Sequence, residues 1–242
     1  MAKSKINSFN FPVGKLLAGG KYQVVQKLGS GWEGEVYTVR ETMTGIDRAA
    51  KFFFPERNDR NKSLIFYAKK LHKLRSCRIL IQYATQETLW MKGEKVSFLV
   101  SDFVEGEPLH LFLERQSGKK LPPFQAVHLL HALAKGMEEI HNLKEYHGDL
   151  HTENIIVQRV GLGYDLKVID MFQWGAAKPI NIHEDVLDLI RVFYDSLGGK
   201  KHYAKMPNAV KDICCGLKKS LILKKFKTAG QLRFYLEQMS WE

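Results

Sequence analysis

The chain has 242 residues, 45% of them hydrophobic and 11% aromatic, and a formal net charge of +11 from 37 basic and 26 acidic residues. This composition argues against wholesale disorder and is typical of one compact unit or two small lobes. No apolar run approaches the ~20 residues that span a bilayer. Because the N-terminus lacks the apolar core of a secretory signal, we expect a cytoplasmic protein, with export by a non-classical route left open.

The cysteines and the distribution of charge further limit the kinds of site and binding partner to expect. Three cysteines, two of them adjacent at Cys214 and Cys215, predict neither a disulfide framework nor a zinc site. Basic residues form two clusters: Lys62, Lys69, Lys70, Lys73, Arg75 and Arg78 in the first, and Lys218, Lys219, Lys224, Lys225 and Lys227 in the second. Such clusters either contact nucleic acid or another anionic surface, or are simply solvated.

The first part of the chain is predicted to be mainly β. Residues 1–20 are interpreted as an N-terminal arm, and the segments YQVVQKLG, GEVYTVRE, DRAAKFFF and VSFLVSDFV, within residues 21–103, predict strands because they are rich in β-branched and aromatic residues. One helix is expected near residues 62–76, where apolar residues recur at steps of three and four.

The second part, residues 104–242, is predicted to be mainly helical. Apolar stripes over residues 126–140 and 186–193 indicate helices, and Thr228 begins another, with Gln231 at capping-box spacing. Two short strands are expected at 155–160 and 165–169. The predicted fold class is therefore α+β, with a small, mostly β lobe that contains one helix and a larger, mostly α lobe.

Two motifs in the first part indicate a phosphate site. Gly29, Gly31 and Gly34 would let a backbone turn pass close to phosphate oxygens, although ordinary hairpins contain such glycines too. A strand follows them, whereas a dinucleotide-binding fold needs a helix. Lys51 lies within an apolar strand, where a lysine is costly to bury unless it meets an anion. The alternative is an edge lysine that reaches water.

The segment HGDLHTENIIV carries the strongest chemical signal. Asp149 and Asn154 lie in a polar loop before an apolar strand, so that a carboxylate can accept a proton from a hydroxyl and an amide oxygen can ligate a hard cation. Asp170, at the end of the apolar run LKVID, is well placed to bind Mg²⁺.

These motifs, in this order, resemble the protein-kinase superfamily from about Tyr22 to Met239. The resemblance implies ATP and Mg²⁺ (or Mn²⁺) as cofactors, with Lys51, Asp149 and Asn154 in catalysis and with Asn154 and Asp170 on the metal. It implies a set of ATP-binding residues: Leu28, Gly29, Ser30, Gly31, Gly34, Val36, Ala49, Lys51, Asp102, Val104 and Ile156. It also makes Ser101 the gatekeeper and Asp185 the buried brace of the catalytic loop.

The sequence departs from the family pattern at several positions. Tyr67 aligns where a helix glutamate would pair with the strand lysine, so Lys51 is expected to pair with Asp170, Glu56, a glycine-loop acid or the nucleotide. Gly148 replaces a common arginine, and Met171-Phe172 replaces Phe-Gly. The short interval between Asp170 and Asp185 leaves little room for a peptide-docking platform.

These departures leave the function open between several classes. The first hypothesis is a minimal, divergent Ser/Thr protein kinase with a protein substrate. HGDLHxxN resembles small-molecule phosphotransferases of the aminoglycoside and choline type, which is the second hypothesis. The missing helix glutamate favours a nucleotide-binding pseudokinase scaffold. A nucleic-acid-binding module rests on the charge alone and leaves Asp149, Asn154 and Asp170 unexplained.

Overall fold

The computed structural model describes residues 6–161, 163–171 and 175–240. The chain divides into two compact units. The first unit runs to Ser76 and includes Ile81–Val104, and the second comprises Cys77–Leu80 and the chain from Glu105 onward.

The first unit is a six-stranded antiparallel sheet with one α-helix in its described residues. Its elements are β1 (Leu16–Leu17), β2 (Tyr22–Ser30), β3 (Gly34–Glu41), β4 (Asp47–Phe53), α1 (Lys62–Lys73), β5 (Tyr83–Met91) and β6 (Glu94–Asp102). The strand order is β1-β2-β3-β4-β6-β5. The four predicted strands and the predicted helix are confirmed. Strand β5 was not predicted, because its sequence YATQETLWM has a polar run followed by an apolar run and so lacks the alternation typical of a strand.

The core of the first unit is aromatic. The Phe52 ring lies 4.4 Å from the Phe98 ring, 5.0 Å from that of Phe11 and 5.7 Å from that of Phe9. Phe9 and Phe11 are buried and belong to this core. Each buried aromatic ring removes a large apolar area from water and so stabilises the fold. Within the segment interpreted as an N-terminal arm, the described residues 6–20 thus contribute to the core, since Ile6 and Leu17 are buried there as well.

A buried carboxylate ties the N-terminal segment to the sheet. Glu35 on β3 accepts hydrogen bonds from the Phe9 amide at 3.2 Å and from the Tyr37 hydroxyl at 2.6 Å, and it pairs with Lys27 at 2.7 Å. Burial raises the pKa of Glu35, but the hydrogen bonds from Lys27 and Tyr37 outweigh it and hold the pKa below its usual range. Burial and the bond to Glu35 raise the pKa of Tyr37 to about 12.

The second unit is mainly helical. Its elements are β7 (Glu107–Pro108), α2 (Leu109–Glu114), α3 (Pro123–Asn142), β8 (Ile155–Val160), β9 (Gly163–Val168), α4 (Pro179–Ser196), α5 (Lys200–Tyr203), α6 (Asn208–Cys214), α7 (Lys219–Lys225) and α8 (Ala229–Gln238). The three strands form an antiparallel sheet in the order β7-β8-β9.

The predicted helices of this part are present as α3, α4 and α8. The Gln231 amide donates to the Thr228 hydroxyl at 3.2 Å, so that Thr228 caps α8 as its spacing predicts. The division into a mostly β part with one helix and a mostly helical part is confirmed. Among the helices in the described ranges, none is both long and apolar enough to cross a bilayer.

Candidate active site

The glycine-rich segment is the hairpin between β2 and β3. Ser30 pairs with Glu35 across it, and the Gly31 amide donates to the Gly34 carbonyl at 2.9 Å. A Cβ at Gly29 or Gly31 would meet nothing within 4 Å, whereas one at Gly34 would lie 1.9 Å from the Phe52 carbonyl oxygen. The first two glycines therefore leave space beside the backbone, and Gly34 is required for strands β3 and β4 to pack.

Gly34→Ala is expected to lower the free energy of unfolding by about 2 kcal/mol or more, because the atom that its Cβ would meet is backbone and has little freedom to move. Gly31→Ala is the matched control and should change stability by less than about 1 kcal/mol. Urea denaturation of both variants measures this difference. Equal losses would contradict the distinction between the two glycines.

Lys51 lies on β4 opposite Val36, and its side chain is 13% exposed. Its Nζ lies 3.5 Å from Oε2 of Glu33, which is 16% exposed, and 5.8 Å from the ring centres of Phe53 and of Tyr67. A glycine-loop acid was one of the predicted partners, and this contact confirms it. Tyr67, on α1, brings an aromatic face to the lysine, an arrangement that attracts a cation.

The segment predicted to bind adenine ends β6. Ser101 is buried and its hydroxyl lies 3.5 Å from the Ala49 carbonyl oxygen, to which it donates. The Asp102 amide donates to the Gln82 carbonyl at 3.0 Å, which leaves the Asp102 carbonyl as the group for this role. Val104 is half-buried just after the strand. The adenine contacts themselves stay a prediction.

The remaining predicted ATP-binding residues lie on strands. Val36 and Ala49, on β3 and β4, are half-buried, and Leu28, on β2, is 47% exposed. Ile156 lies on β8 in the second unit, half-buried and paired with Lys167.

In the second unit, Asp185 organises the loop that carries Asp149. Asp185, on α4, is fully buried, and its carboxylate accepts hydrogen bonds from the Gly148 amide at 2.7 Å and the His147 amide at 2.9 Å. Nε2 of His141, on α3, lies 3.0 Å from the same carboxylate. The predicted brace is thus confirmed. Gly148 has a φ of +82°, which favours glycine over the family's common arginine.

Two histidines take part that the sequence analysis did not single out. His147 is fully buried; its Nδ1 accepts from the Asp149 amide at 3.2 Å, so Nε2 carries the proton and donates to the Ile169 carbonyl at 2.9 Å. It therefore links Asp149 to the residue before Asp170. The only available sequence signal was that His147 precedes Asp149 by two residues in HGDLHTENIIV, and nothing marked His141.

The pairing of β8 with β9 places the two predicted metal ligands near each other. The Ile169 amide donates to the Asn154 carbonyl at 3.0 Å, and Asp170 follows with a φ of +62°. Nδ2 of Asn154 donates to the Asp149 carbonyl at 2.9 Å and lies 2.9 Å from Nε2 of His151. Because both contacts use the amide nitrogen, the amide oxygen faces a different direction and can serve as a ligand.

Across the described ranges, no group of three or more His, Cys, Asp or Glu side chains is arranged to hold a metal ion. An amide and one carboxylate suit Mg²⁺, which usually takes one or two carboxylates together with substrate phosphates. Met171 is buried, and Phe172, named above as a departure from the family, lies outside the described residues.

The Asp149 carboxylate is 66% exposed, and Oδ2 lies 3.7 Å from Nε2 of His151. On the C-terminal side of Asp149, the Leu150 amide donates a hydrogen bond to the carboxylate of Asp188 on α4. Burial, and then the nearby charge of Asp185, raises the pKa of Asp188 to about 6. The exposed carboxylate of Asp149 is thus carried by a backbone segment that is hydrogen-bonded on both sides of this residue.

The raised pKa of Asp188 predicts a pH-dependent stability. Because the folded protein binds this proton more tightly than the unfolded chain, the carboxylate costs stability above pH 6, and the cost fades as the pH falls toward 4. Asp188→Asn should raise the free energy of unfolding by about 1 kcal/mol at pH 7.5 and by little at pH 4.5. The exposed Asp165→Asn is the control in urea denaturation. A gain that does not change with pH would contradict the assignment.

Comparison with known proteins identifies the family. A sequence model of the protein kinase domain matches residues 22–209. The chain is 27% identical over 157 residues to the serine/threonine-protein kinase pkn2 of Myxococcus xanthus, covering 64% of this chain and 18% of that protein. It is 26% identical over 165 residues to PknA of Corynebacterium glutamicum, covering 67% and 34%. It is 29% identical over 154 residues to a serine/threonine-protein kinase of Arabidopsis thaliana, covering 62% and 25%.

The chain therefore spans between 18% and 34% of the length of these relatives. Among solved structures, the crystal structure of a kinase domain matches with a TM-score of 0.62 and 16% identity, covering 79% of this chain and 68% of that one. This match confirms the predicted α+β kinase fold. The match over residues 22–209 shows that the chain belongs to the protein kinase domain family.

Proposed function

We propose that this chain is an ATP- and Mg²⁺-dependent phosphotransferase, a Ser/Thr protein kinase of minimal, divergent type. The observation that carries the proposal is the support of Asp149: an exposed carboxylate whose flanking backbone is held by buried Asp185 and His147. A fixed backbone with an exposed carboxylate suits a group that must meet an acceptor hydroxyl in one orientation.

The first unit supplies the nucleotide-binding groups of this proposal. Lys51 and the backbone of the glycine hairpin bind the phosphates. The open space beside Gly29 and Gly31 supports this, because phosphate oxygens need a backbone without side chains in the way. The Asp102 carbonyl and the Val104 backbone hold the adenine, with Val36, Ala49 and Ile156 against its faces.

The second unit supplies the metal ligands and the residue that meets the acceptor. Asn154, through its amide oxygen, and Asp170, through its carboxylate, would hold Mg²⁺ or Mn²⁺. A cation there supplies charge neutralisation at phosphate oxygens. Asp149 orients the acceptor hydroxyl and accepts its proton. That Lys51 acts on the same nucleotide as these residues is implied by the family resemblance.

Transfer from ATP labelled in the γ-phosphate tests the proposal. We expect Mg²⁺-dependent label on serine or threonine of added or self protein, and loss of the label in Lys51→Met. Label on aminoglycosides or choline, with none on protein, would overturn the acceptor class.

A nucleotide-binding scaffold is the second candidate, and one observation favours it. Tyr67 stands on α1 where the family places an acid, and Lys51 contacts Glu33 instead. ATP binding without transfer to any acceptor, including water, would favour the scaffold over the kinase.

A further inference from the structure

Glu33 lies in the turn of the glycine hairpin, and that turn is attached to the end of β4. The Phe54 amide donates to the Glu33 carbonyl at 2.9 Å. The Arg57 guanidinium lies 4.2 Å from the centre of the Trp32 ring, a cation–π contact that fixes the preceding residue to the same segment. The backbone that carries Glu33 is thus held by two contacts of its own turn and does not depend on the contact with Lys51.

The Glu33–Lys51 contact is shielded from solvent. Both side chains are more than four-fifths buried, and the rings of Phe53 and Tyr67 lie 5.8 Å from the lysine Nζ. Shielded charges interact more strongly than exposed ones and are less screened by salt. In the described part of α1, no residue is acidic, so the helix offers Lys51 an aromatic face and no carboxylate.

Because Glu33 lies in the glycine hairpin and not on α1, its contact with Lys51 bears directly on nucleotide binding. An acid on α1 would approach the lysine from outside the glycine hairpin. Glu33 belongs to the hairpin turn itself, so its negative charge occupies the region in which the proposed function places nucleotide phosphates. A triphosphate and a carboxylate repel each other there.

We infer that Glu33 is an internal competitor of nucleotide phosphate for Lys51, holding the lysine in the nucleotide-free protein and releasing it when a triphosphate binds. This inference rests on the proposed function, because it takes ATP as the ligand of Lys51. It makes Glu33 a positioning residue that sets the affinity for ATP.

Binding measurements with Glu33→Gln test the inference. By calorimetry with Mg·ATP, the variant should bind at least about fivefold more tightly than the wild type, because a shielded pair is worth at least the ~1 kcal/mol of a well-formed exposed one. Affinity for adenosine, which lacks phosphates, should not change. In the Lys51→Met background, the effect of Glu33→Gln should be clearly smaller than in the wild type, because only the repulsion between the carboxylate and the phosphates is then removed. The control Glu87→Gln removes a carboxylate paired with Lys21 in the same unit and should leave both affinities unchanged.

A second measurement uses the wild-type chain and needs no variant to fold. A carbodiimide joins a carboxylate to an amine only when the two are in contact, and peptide mass spectrometry identifies the product. We expect a Glu33–Lys51 cross-link without nucleotide and its suppression by saturating Mg·ATP. A missing cross-link, or one that persists when ATP is bound, would overturn the inference.

The two proposals fail in different ways. If the wild type binds ATP and Glu33→Gln binds it equally or more weakly, the competition is wrong and the proposed function stands. If neither protein binds ATP, the proposed function itself fails and the competition falls with it. If Glu33→Gln binds ATP and the wild type does not, the result supports both the competition and the proposed function.

Discussion

Asp149→Asn is expected to lower the rate of phosphoryl transfer by about 10²- to 10⁴-fold, the contribution of a positioned acid or base. The amide cannot accept the hydroxyl proton, and the loop should not change, because its backbone bonds to Asp185 and His147 do not involve the substituted side chain. The affinity for ATP should therefore stay within about twofold of the wild type. Steady-state transfer rates and calorimetric affinities measure the two effects separately.

Glu153→Gln is the matched control for this substitution. Glu153 is an exposed carboxylate in the same loop, and the hydrogen bond that places it comes from its amide to His151 rather than from its side chain. Its replacement should leave the transfer rate nearly unchanged. A wild-type rate in Asp149→Asn would contradict the role assigned to Asp149, and an equal loss in Glu153→Gln would point to a general disturbance of the loop.

Asp185→Ala is expected to lower the free energy of unfolding by about 3–5 kcal/mol, the cost of removing one partner from a buried charged network. The substitution would leave the amides of His147 and Gly148 and the ring of His141 without their shared acceptor. Each buried donor without a partner costs about 1–3 kcal/mol. Urea denaturation followed by circular dichroism measures the loss.

Glu184→Ala provides the comparison on the same helix. Glu184 precedes Asp185 on α4, is 46% exposed and pairs with Lys219 on α7. Loss of such a surface pair should cost less than about 1 kcal/mol. If Asp185→Ala were as mild as Glu184→Ala, Asp185 would not be the residue that holds the Asp149 loop together.

The sequence predicted those parts of the fold in which local pattern and structure agree. Helices α1 and α3 have apolar stripes at helical spacing, and Thr228 carries its own cap signal. The brace by Asp185 was also predictable, although through family resemblance rather than from local pattern. In each case, the information lies in one short segment or in one recognisable motif.

The features that the sequence analysis missed depend on contacts between distant segments. Phe9 and Phe11 join the core because the ring of Phe52 contacts both and that of Tyr37 contacts Phe11, and nothing within residues 1–20 shows this. Strand β5 alternates half-buried and exposed positions with few β-branched residues, so it was not recognised.

In the candidate active site, too, the contacts between distant segments could not be predicted from local sequence. Several acids were candidate partners of Lys51, and the contact with Glu33 follows from the fold of the hairpin turn. His147 and His141 are ordinary histidines until the loop brings one to Ile169 and the other to Asp185. Residue types and spacing thus predicted which chemistry to expect, and the partners that tune it required the structure.

The most direct test of the central claim is a crystal structure with a non-hydrolysable ATP analogue and Mg²⁺. We expect the cation on the Asn154 amide oxygen and the Asp170 carboxylate, with Lys51 on the phosphates and Glu33 released from it. A nucleotide bound without Lys51, or a cation held by neither Asn154 nor Asp170, would contradict the account.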